Sequence, residues 1–390
     1  MAFTTTTGAG GTSLIGTSGV DTLSLTGNAV PLYVGAQAAN DVINFANTTT
    51  TATVEGGKGA DTIILATNTG NFVNGGLGND SISNSGTMTG GLIQGLGGAD
   101  TITLTGSVKT NALVNGNSGN DIINFAGAVS TGSSILGGAD ADIISATADV
   151  AISSAKINGN KGNDSIYVGI LDTTSMASAT IFGGQGNDLI SGGLDSTATL
   201  DVAAAALILS GDDGNDTVVG GDAADTLFGG AGNDSISAQA GTGALAAADS
   251  ISGGSGSDRF TRNGAAFAYT DNATAGQVTA TDVVGATDII TDFDVATDAI
   301  QLNVAAVAGA NGESNSAVIN GTSIAATAGS YYFIAGTLNS NGTFTVQSIS
   351  NGGFDTLVAI GSGTTLANTD TSVALKGVLA TSLSGTNLYV

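Results

Sequence analysis

Apolar and polar residues alternate along most of this chain in short runs separated by glycine and aspartate. After Asp61 comes Thr62-Ile63-Ile64-Leu65, and similar alternation places Ile82, Ile102/Leu104, Ile123/Phe125, Ile144, Ile166/Val168, Ile190, Val218, Leu227 and Ile236 on one side. A period of two predicts β-strand with one face in a core. A second apolar piece precedes the next glycines: Val54, Phe72-Val73, Leu92-Ile93, Leu113-Val114, Ile135-Leu136, Ile157, Ile181-Phe182 and Leu207-Ile208-Leu209. Two short strands with glycine turns therefore recur.

The recurrence is regular. Gly56-Gly-Lys-Gly59-Ala-Asp61 returns as Gly75-Gly-Leu-Gly78-Asn-Asp80, Gly183-Gly-Gln-Gly186-Asn-Asp188, Gly229-Gly-Ala-Gly232-Asn-Asp234 and Gly253-Gly-Ser-Gly256-Ser-Asp258. Looser copies end in Asp100, Asp121, Asp142, Asp164, Asp216 and Asp225, and keep Gly98, Gly119, Gly162, Gly211 and Gly214. Asp21 and Asp41 hold the same register with poorer glycine content. From Asp21 to Asp188 the intervals are 20, 20, 19, 20, 21, 21, 22 and 24 residues. Stacked coils explain such constancy; a glycine-rich β-sandwich, the alternative, has no reason to keep Asp in register. The expected fold is all-β: a parallel β-roll (β-solenoid) of about 20-residue coils over residues 1–258, with a small C-terminal β cap over 259–390.

Charge changes the picture next. There are 7 Lys and Arg against 32 Asp and Glu, a net charge of −25, and only Glu55 and Glu313 are Glu. That balance argues against nucleic acid and anionic membrane surfaces as partners. Disorder does not follow, because only 10% of residues are charged and 41% are hydrophobic. With no His and no Cys, the chain has no imidazole base, no thiolate nucleophile and no disulfide. Met1 to Thr7 lacks the basic start and apolar core of a secretory signal, and no apolar stretch suggests a membrane span.

Residues in one register of a solenoid lie above one another, so the aspartates form a column. Carboxylates ~5 Å apart repel by about 0.8 kcal/mol in water and ~3 kcal/mol at an effective dielectric near 20. Summed along the column, this rivals a folding stability of ~5–15 kcal/mol. A divalent cation between coils removes the repulsion. Carboxylate and glycine-turn carbonyl oxygens suit Ca²⁺, not zinc or copper. The alternative is that each Asp makes an Asx turn with its own backbone. On the calcium reading the metal-free chain is expected to be largely unfolded. The candidate ligands are the motif glycines and aspartates named above, from Gly56 to Asp258. They include Asp140, at a third-glycine position, and further on Asp292 and Asp298.

The unit Gly-Gly-x-Gly-x-Asp-x-U-x, with U a large apolar residue, resembles the calcium-binding nonapeptide of the RTX (repeats-in-toxin) family. The likeness spans about residues 10–300 and is tightest at Gly56–Ile63, Gly75–Ile82, Gly183–Ile190, Gly211–Val218 and Gly229–Ile236. The chain also departs from the family. Its ~20-residue interval allows one motif per coil, so ions are expected mainly along one edge, and on both edges only around Asp216, Asp225, Asp234, Asp249 and Asp258. Leu96, Asn117 and Asn160 replace the second glycine, and Asp140 and Ala223 the third. Asp288 to Leu302 resembles the segment that closes RTX rolls in type I-secreted proteins, a surface hairpin being the alternative. Gly377 to Val390 resembles an uncleaved export signal. The resemblance thus implies an extracellular, calcium-rich setting.

RTX enzymes carry a catalytic domain ahead of the roll. Here the first coil begins by about Gly10, so no enzyme is expected. Nothing near Met1 reads as a polar cap, and Ile64, Ile122, Ile143, Tyr167, Leu189, Val219 and Phe228 should face outward. Open ends and apolar faces point to self-association. The chain resembles RTX-type surface-layer and oscillin-like matrix proteins. The expected function is a secreted structural protein of a surface layer, sheath or filament. Its partners are further copies of itself, with cell-surface polysaccharide as candidate anchor. Weaker alternatives are an adhesin, an ice-binding solenoid and a carboxylate-based polysaccharide-acting enzyme.

Overall fold

The computed structural model describes residues 3–8, 11–26, 32–148, 150–168, 179–192, 206–221, 223–239, 249–263, 269–270, 283–284, 288–294, 296–303, 331–338, 344–346, 355–360, 371–378 and 388–389. They form two compact units, Met1–Ala205 and Ala206–Val390. The described residues are strands, turns and bends, with no helix.

In the first unit, equivalent residues of successive coils are register partners in parallel sheets. One inward column runs Ile43, Ile63, Ile82, Ile102, Ile123, Ile144, Ile166, Ile190. The facing sheet supplies Val34, Val54, Val73, Ile93, Val114, Ile135, Ile157 and Ile181. None of these side chains is more than 1% exposed, and each such burial is worth ~1.5–3 kcal/mol. The columns also lock the register, because a slip of one residue would turn a whole row outward.

The two-strand coil expected from the sequence is incomplete. A third piece of two residues recurs at Met88–Thr89, Val108–Lys109, Val129–Ser130 and Ile152–Ser153. Met88, Val108, Val129 and Ile152 are fully buried. A two-residue strand is too short to show a period, which is why the pattern conceals it.

The expectation of an uncapped N-terminal end is also corrected. Strand β1 (Thr4–Gly8) folds back antiparallel on β2 (Gly11–Ile15), pairing Thr4 with Ile15 and Gly8 with Gly11. It covers the edge of β2 with a threonine-rich strand.

In the second unit, strands Ile208–Asp213 and Thr217–Val219 pair in parallel with Thr226–Ala231 and Ser235–Gln239. Inward columns run Leu209, Leu227, Ile251, Ile290 and Val218, Ile236, Phe260, Ile300. The glycine motif stops at Asp258, yet Asp288–Ile290 and Ala299–Asn303 add another parallel coil. This excludes the hairpin alternative for that segment. Thr371–Leu375 extends the roll in parallel from Asp288–Ile290. Asp355–Ile360 then pairs antiparallel with both Thr371–Leu375 and Tyr331–Leu338, and Phe344–Val346 with the latter. These strands make up the β cap. Most of the proposed export signal, residues 379–387 and 390, lies outside the described residues.

Candidate metal centre

The turns before Asp61, Asp80, Asp100, Asp121, Asp142, Asp164, Asp188, Asp216, Asp234 and Asp258 repeat one backbone shape. Their second and third motif positions have positive φ, as at Gly57 (108°) and Gly59 (125°). Where glycine is missing the shape persists: Leu96 (81°), Asn117 (77°), Asn160 (76°) and Asp212 (71°) stand at the second position, and Asp140 (78°) at the third. A side chain there costs about 1–2 kcal/mol, so stacking against neighbouring coils imposes the conformation. At the first position of these turns, glycine leaves the least crowded space. A Cβ on Gly116 would collide with Asp121 Oδ2 and lie 2.5 Å from the carbonyl oxygen of Gly137 in the next coil. Carboxylate and carbonyl oxygens close on the same point at Gly56, Gly95, Gly137, Gly159, Gly211 and Gly229. The carbonyl oxygens at Gly159 and Gly229 come from Gly183 and Gly253.

The aspartates turn inward, and the column of the first unit is a hydrogen-bonded ladder. The N–H of Asp41 donates to Oδ1 of Asp61 (2.7 Å), Asp61 to Asp80 (2.8 Å), Asp80 to Asp100 (2.7 Å) and Asp100 to Asp121 (2.8 Å). Asp121, Asp142 and Asp164 continue it to Asp142, Asp164 and Asp188, each at 2.8 Å. In the second unit Asp216, Asp234 and Asp258 donate in turn to Asp234, Asp258 and Asp298. A parallel ladder joins Leu207, Asp225, Asp249 and Asp288 on the opposite edge. The second unit thus has an aspartate column on each edge, as the motif spacing anticipates. Through these ladders most aspartates bond across coils, unlike the local Asx turn weighed from the sequence.

One oxygen of each ladder aspartate is thereby used. The other, Oδ2, is buried without a hydrogen-bond partner in Asp41, Asp61, Asp80, Asp100, Asp121, Asp142, Asp164, Asp234 and Asp258. An unmet buried acceptor costs about 1–3 kcal/mol, and more when charged. Burial pushes Asp80, Asp121, Asp164 and Asp234 up to about 6, Asp100 to about 7 and Asp142 to about 8. The ladder hydrogen bonds oppose the shift, and neighbouring carboxylates add to it at Asp80, Asp100, Asp121, Asp142 and Asp234. Asp21 goes the other way, lowered chiefly by the N–H of Thr17.

Among the described residues no three His, Cys, Asp or Glu side chains gather at one point. The donors on offer are a carboxylate oxygen and main-chain carbonyls, an all-oxygen set suited to a flexible, high-coordination cation. The residues therefore fit calcium.

Several predicted ligands sit differently from the rest. Asp140 accepts from the N–H of Gly119 one coil back (3.1 Å), outside the column. Asp292 also lies outside both columns. Its carboxylate takes the Ser252 hydroxyl (2.6 Å) and the N–H groups of Gly253 and Gly254 (2.9 Å each), closing the last glycine turn. Asp225 and Asp298 accept through both oxygens.

Sequence reasoning missed a second ladder beside the first. The side-chain oxygens of Asn40, Asn79, Asn120, Asn163, Asn215 and Asn233 accept from the main chain of Ala60, Ala99, Ala141, Asn187, Asn233 and Ser257 in the next coil. Its signal is the recurrent Asn before the motif Asp.

Stacked glycine–aspartate turns on a parallel roll define a class of repeat. Residues 156–170, 180–196, 210–245 and 244–264 match the RTX calcium-binding nonapeptide repeat, in four copies. The chain thus carries RTX calcium-binding repeats, as the motif resemblance implies. Among solved structures it is similar to the AlgE6R3 subunit of the Azotobacter vinelandii mannuronan C5-epimerase. The identity is 22% over 53% of this chain and 80% of that one, with a TM-score of 0.22. No curated protein matches.

Proposed function

We propose that this protein is a secreted structural protein whose roll is held together by several Ca²⁺ ions and which assembles with its own copies into a surface layer, sheath or filament. The observation that carries the calcium reading is the row of buried, unpartnered Oδ2 atoms from Asp41 to Asp164. A cation between coils satisfies these oxygens and cancels their repulsion. Extracellular calcium is plentiful enough to do so, and RTX proteins are typically exported. Among the described residues no helix is long and apolar enough to cross a membrane.

Self-assembly is supported by the outer faces. Ile122 and Ile143, 38% and 41% exposed, are register partners in adjacent coils. On the other sheet the exposed Phe72 pairs with Leu92, and Leu92 with Leu113. Ile64 and Phe228 are also exposed, while Tyr167, Leu189 and Val219 are half-buried. Contiguous outward apolar rows mark interaction surfaces. The capped β2 edge moves the expected contacts from that end to the faces. No catalytic role is assigned: the open Oδ2 oxygens are given to calcium, and the chain has no His or Cys. Sedimentation of the full chain, with millimolar calcium and with chelator, tests the reading. Growth beyond the monomer only with calcium is expected; a strict monomer in both conditions overturns assembly.

A further inference from the structure

Glycine content and backbone shape part company at two turns. Asp41 follows Ala36-Gln-Ala-Ala-Asn, with no glycine at any motif position. Yet Gln37 (φ 82°) and Ala39 (φ 75°) take the left-handed conformations found at Gly57 and Gly59 one coil later. Asp41 joins the ladder on both sides, accepting from Asp21 at 2.7 Å and donating to Asp61 at 2.7 Å. It is 1% exposed, and its Oδ2 has no partner.

Asp225 is the converse. It follows Gly220-Gly221, but neither Gly221 nor Ala223 has positive φ. The N–H of Gly221 donates to Oδ2 at 2.6 Å, and that of Leu207 to Oδ1 at 2.8 Å. Asp298 is closed in the same way by Asp294 (2.8 Å) and Asp21 by Thr17 (2.5 Å), the donor lying four residues earlier each time. Thr17 and Asp294 also lack positive φ. Where that residue is left-handed, the Oδ2 oxygens of Asp41, Asp61 and Asp80 stay open. Where it is not, its N–H supplies the positive end of a dipole to the oxygen a cation would take.

We propose that ion occupancy follows the backbone conformation of the turn and not its glycine content: Asp41 holds a calcium ion, and Asp225 and Asp298 hold none. This rests on the calcium reading above. The methyl of Ala36 stands at the first motif position, where a Cβ in other coils would crowd the Asp oxygen, so the Asp41 site is the weakest of its column.

Equilibrium dialysis of the full chain against radiolabelled calcium tests this with Asp41→Asn, Asp225→Asn and, as control, Asp61→Asn. Asparagine keeps the Oδ1 acceptor of the ladder and removes the charge. At saturation Asp41→Asn and Asp61→Asn should each bind at least one ion fewer than the parent, and Asp225→Asn the same number. An unchanged count for Asp41→Asn, or a lowered one for Asp225→Asn, overturns the proposal. A parent chain that binds no calcium refutes the wider calcium reading instead. Should Asp41→Asn not fold, Ala36→Gly decides: the same count with the last-filling site tightened several-fold is expected, and unchanged affinity overturns the proposal.

Discussion

The main-chain N–H of Asp100 donates to Oδ1 of Asp121 at 2.8 Å, across an interval of 21 residues. The carboxylate that marks the repeat is therefore a coil-to-coil fastener. Its two oxygens differ: in Asp121 Oδ1 accepts from the neighbouring main chain, while Oδ2 is buried without a hydrogen-bond partner and is the oxygen offered to the proposed cation.

The two roles separate by mutation. Asp121→Asn keeps the acceptor and loses the charge, so in chelator it should melt at or above the parent temperature, and in calcium below it. Asp121→Ala loses both and strands the Asp100 N–H, which costs about 1–3 kcal/mol in either condition. Calorimetry with and without calcium reads the difference.

The carboxyls raised by burial give the metal-free protein an inverted pH profile. A group whose folded pKa lies above its ordinary 3.8 binds protons more readily when folded. Its stability is complete below about pH 3.8 and lost as pH rises through about 6 for Asp80, 7 for Asp100 and 8 for Asp142. In chelator, circular dichroism should show strand signal at acid pH and its loss toward pH 8, while calcium restores it. A chelated protein that keeps its full spectrum and melting temperature at pH 8 contradicts the metal requirement.

Glycine substitutions should act in opposite directions at neighbouring positions. Gly116→Ala drives a methyl against Asp121 Oδ2 and the Gly137 carbonyl, and should weaken calcium binding at that turn and destabilise the coil. Leu96→Gly releases a left-handed leucine (φ 81°) and should stabilise by up to ~1 kcal/mol. Urea titration in calcium checks both.

Outer-face charges should block assembly without touching the turns. Ile122→Lys together with Ile143→Lys places two like charges on adjacent, register-paired positions of an exposed face. Sedimentation should return to the monomer while the bound-calcium count stays at the parent value.

The repeat interval and the inward isoleucines were legible because a solenoid turns sequence spacing directly into spatial stacking. The third strand piece was not, since two residues at Met88 and Val108 carry no period. Asp292 read as a ligand because composition cannot distinguish a carboxylate that caps Gly253 and Gly254 from one left open. The Asn79 and Asn120 ladder was present in the motif but masked by the louder aspartate beside it.

By itself, the sequence determined the all-β class, the parallel coils and the register of the aspartates, because period-two alternation and a near-constant interval leave stacking few alternatives. Only the tertiary structure decided which carboxylate oxygens stay open. That depends on the φ of the residue four positions earlier, which neighbouring coils impose, as Gln37 adopts the conformation without glycine and Gly221 declines it with one.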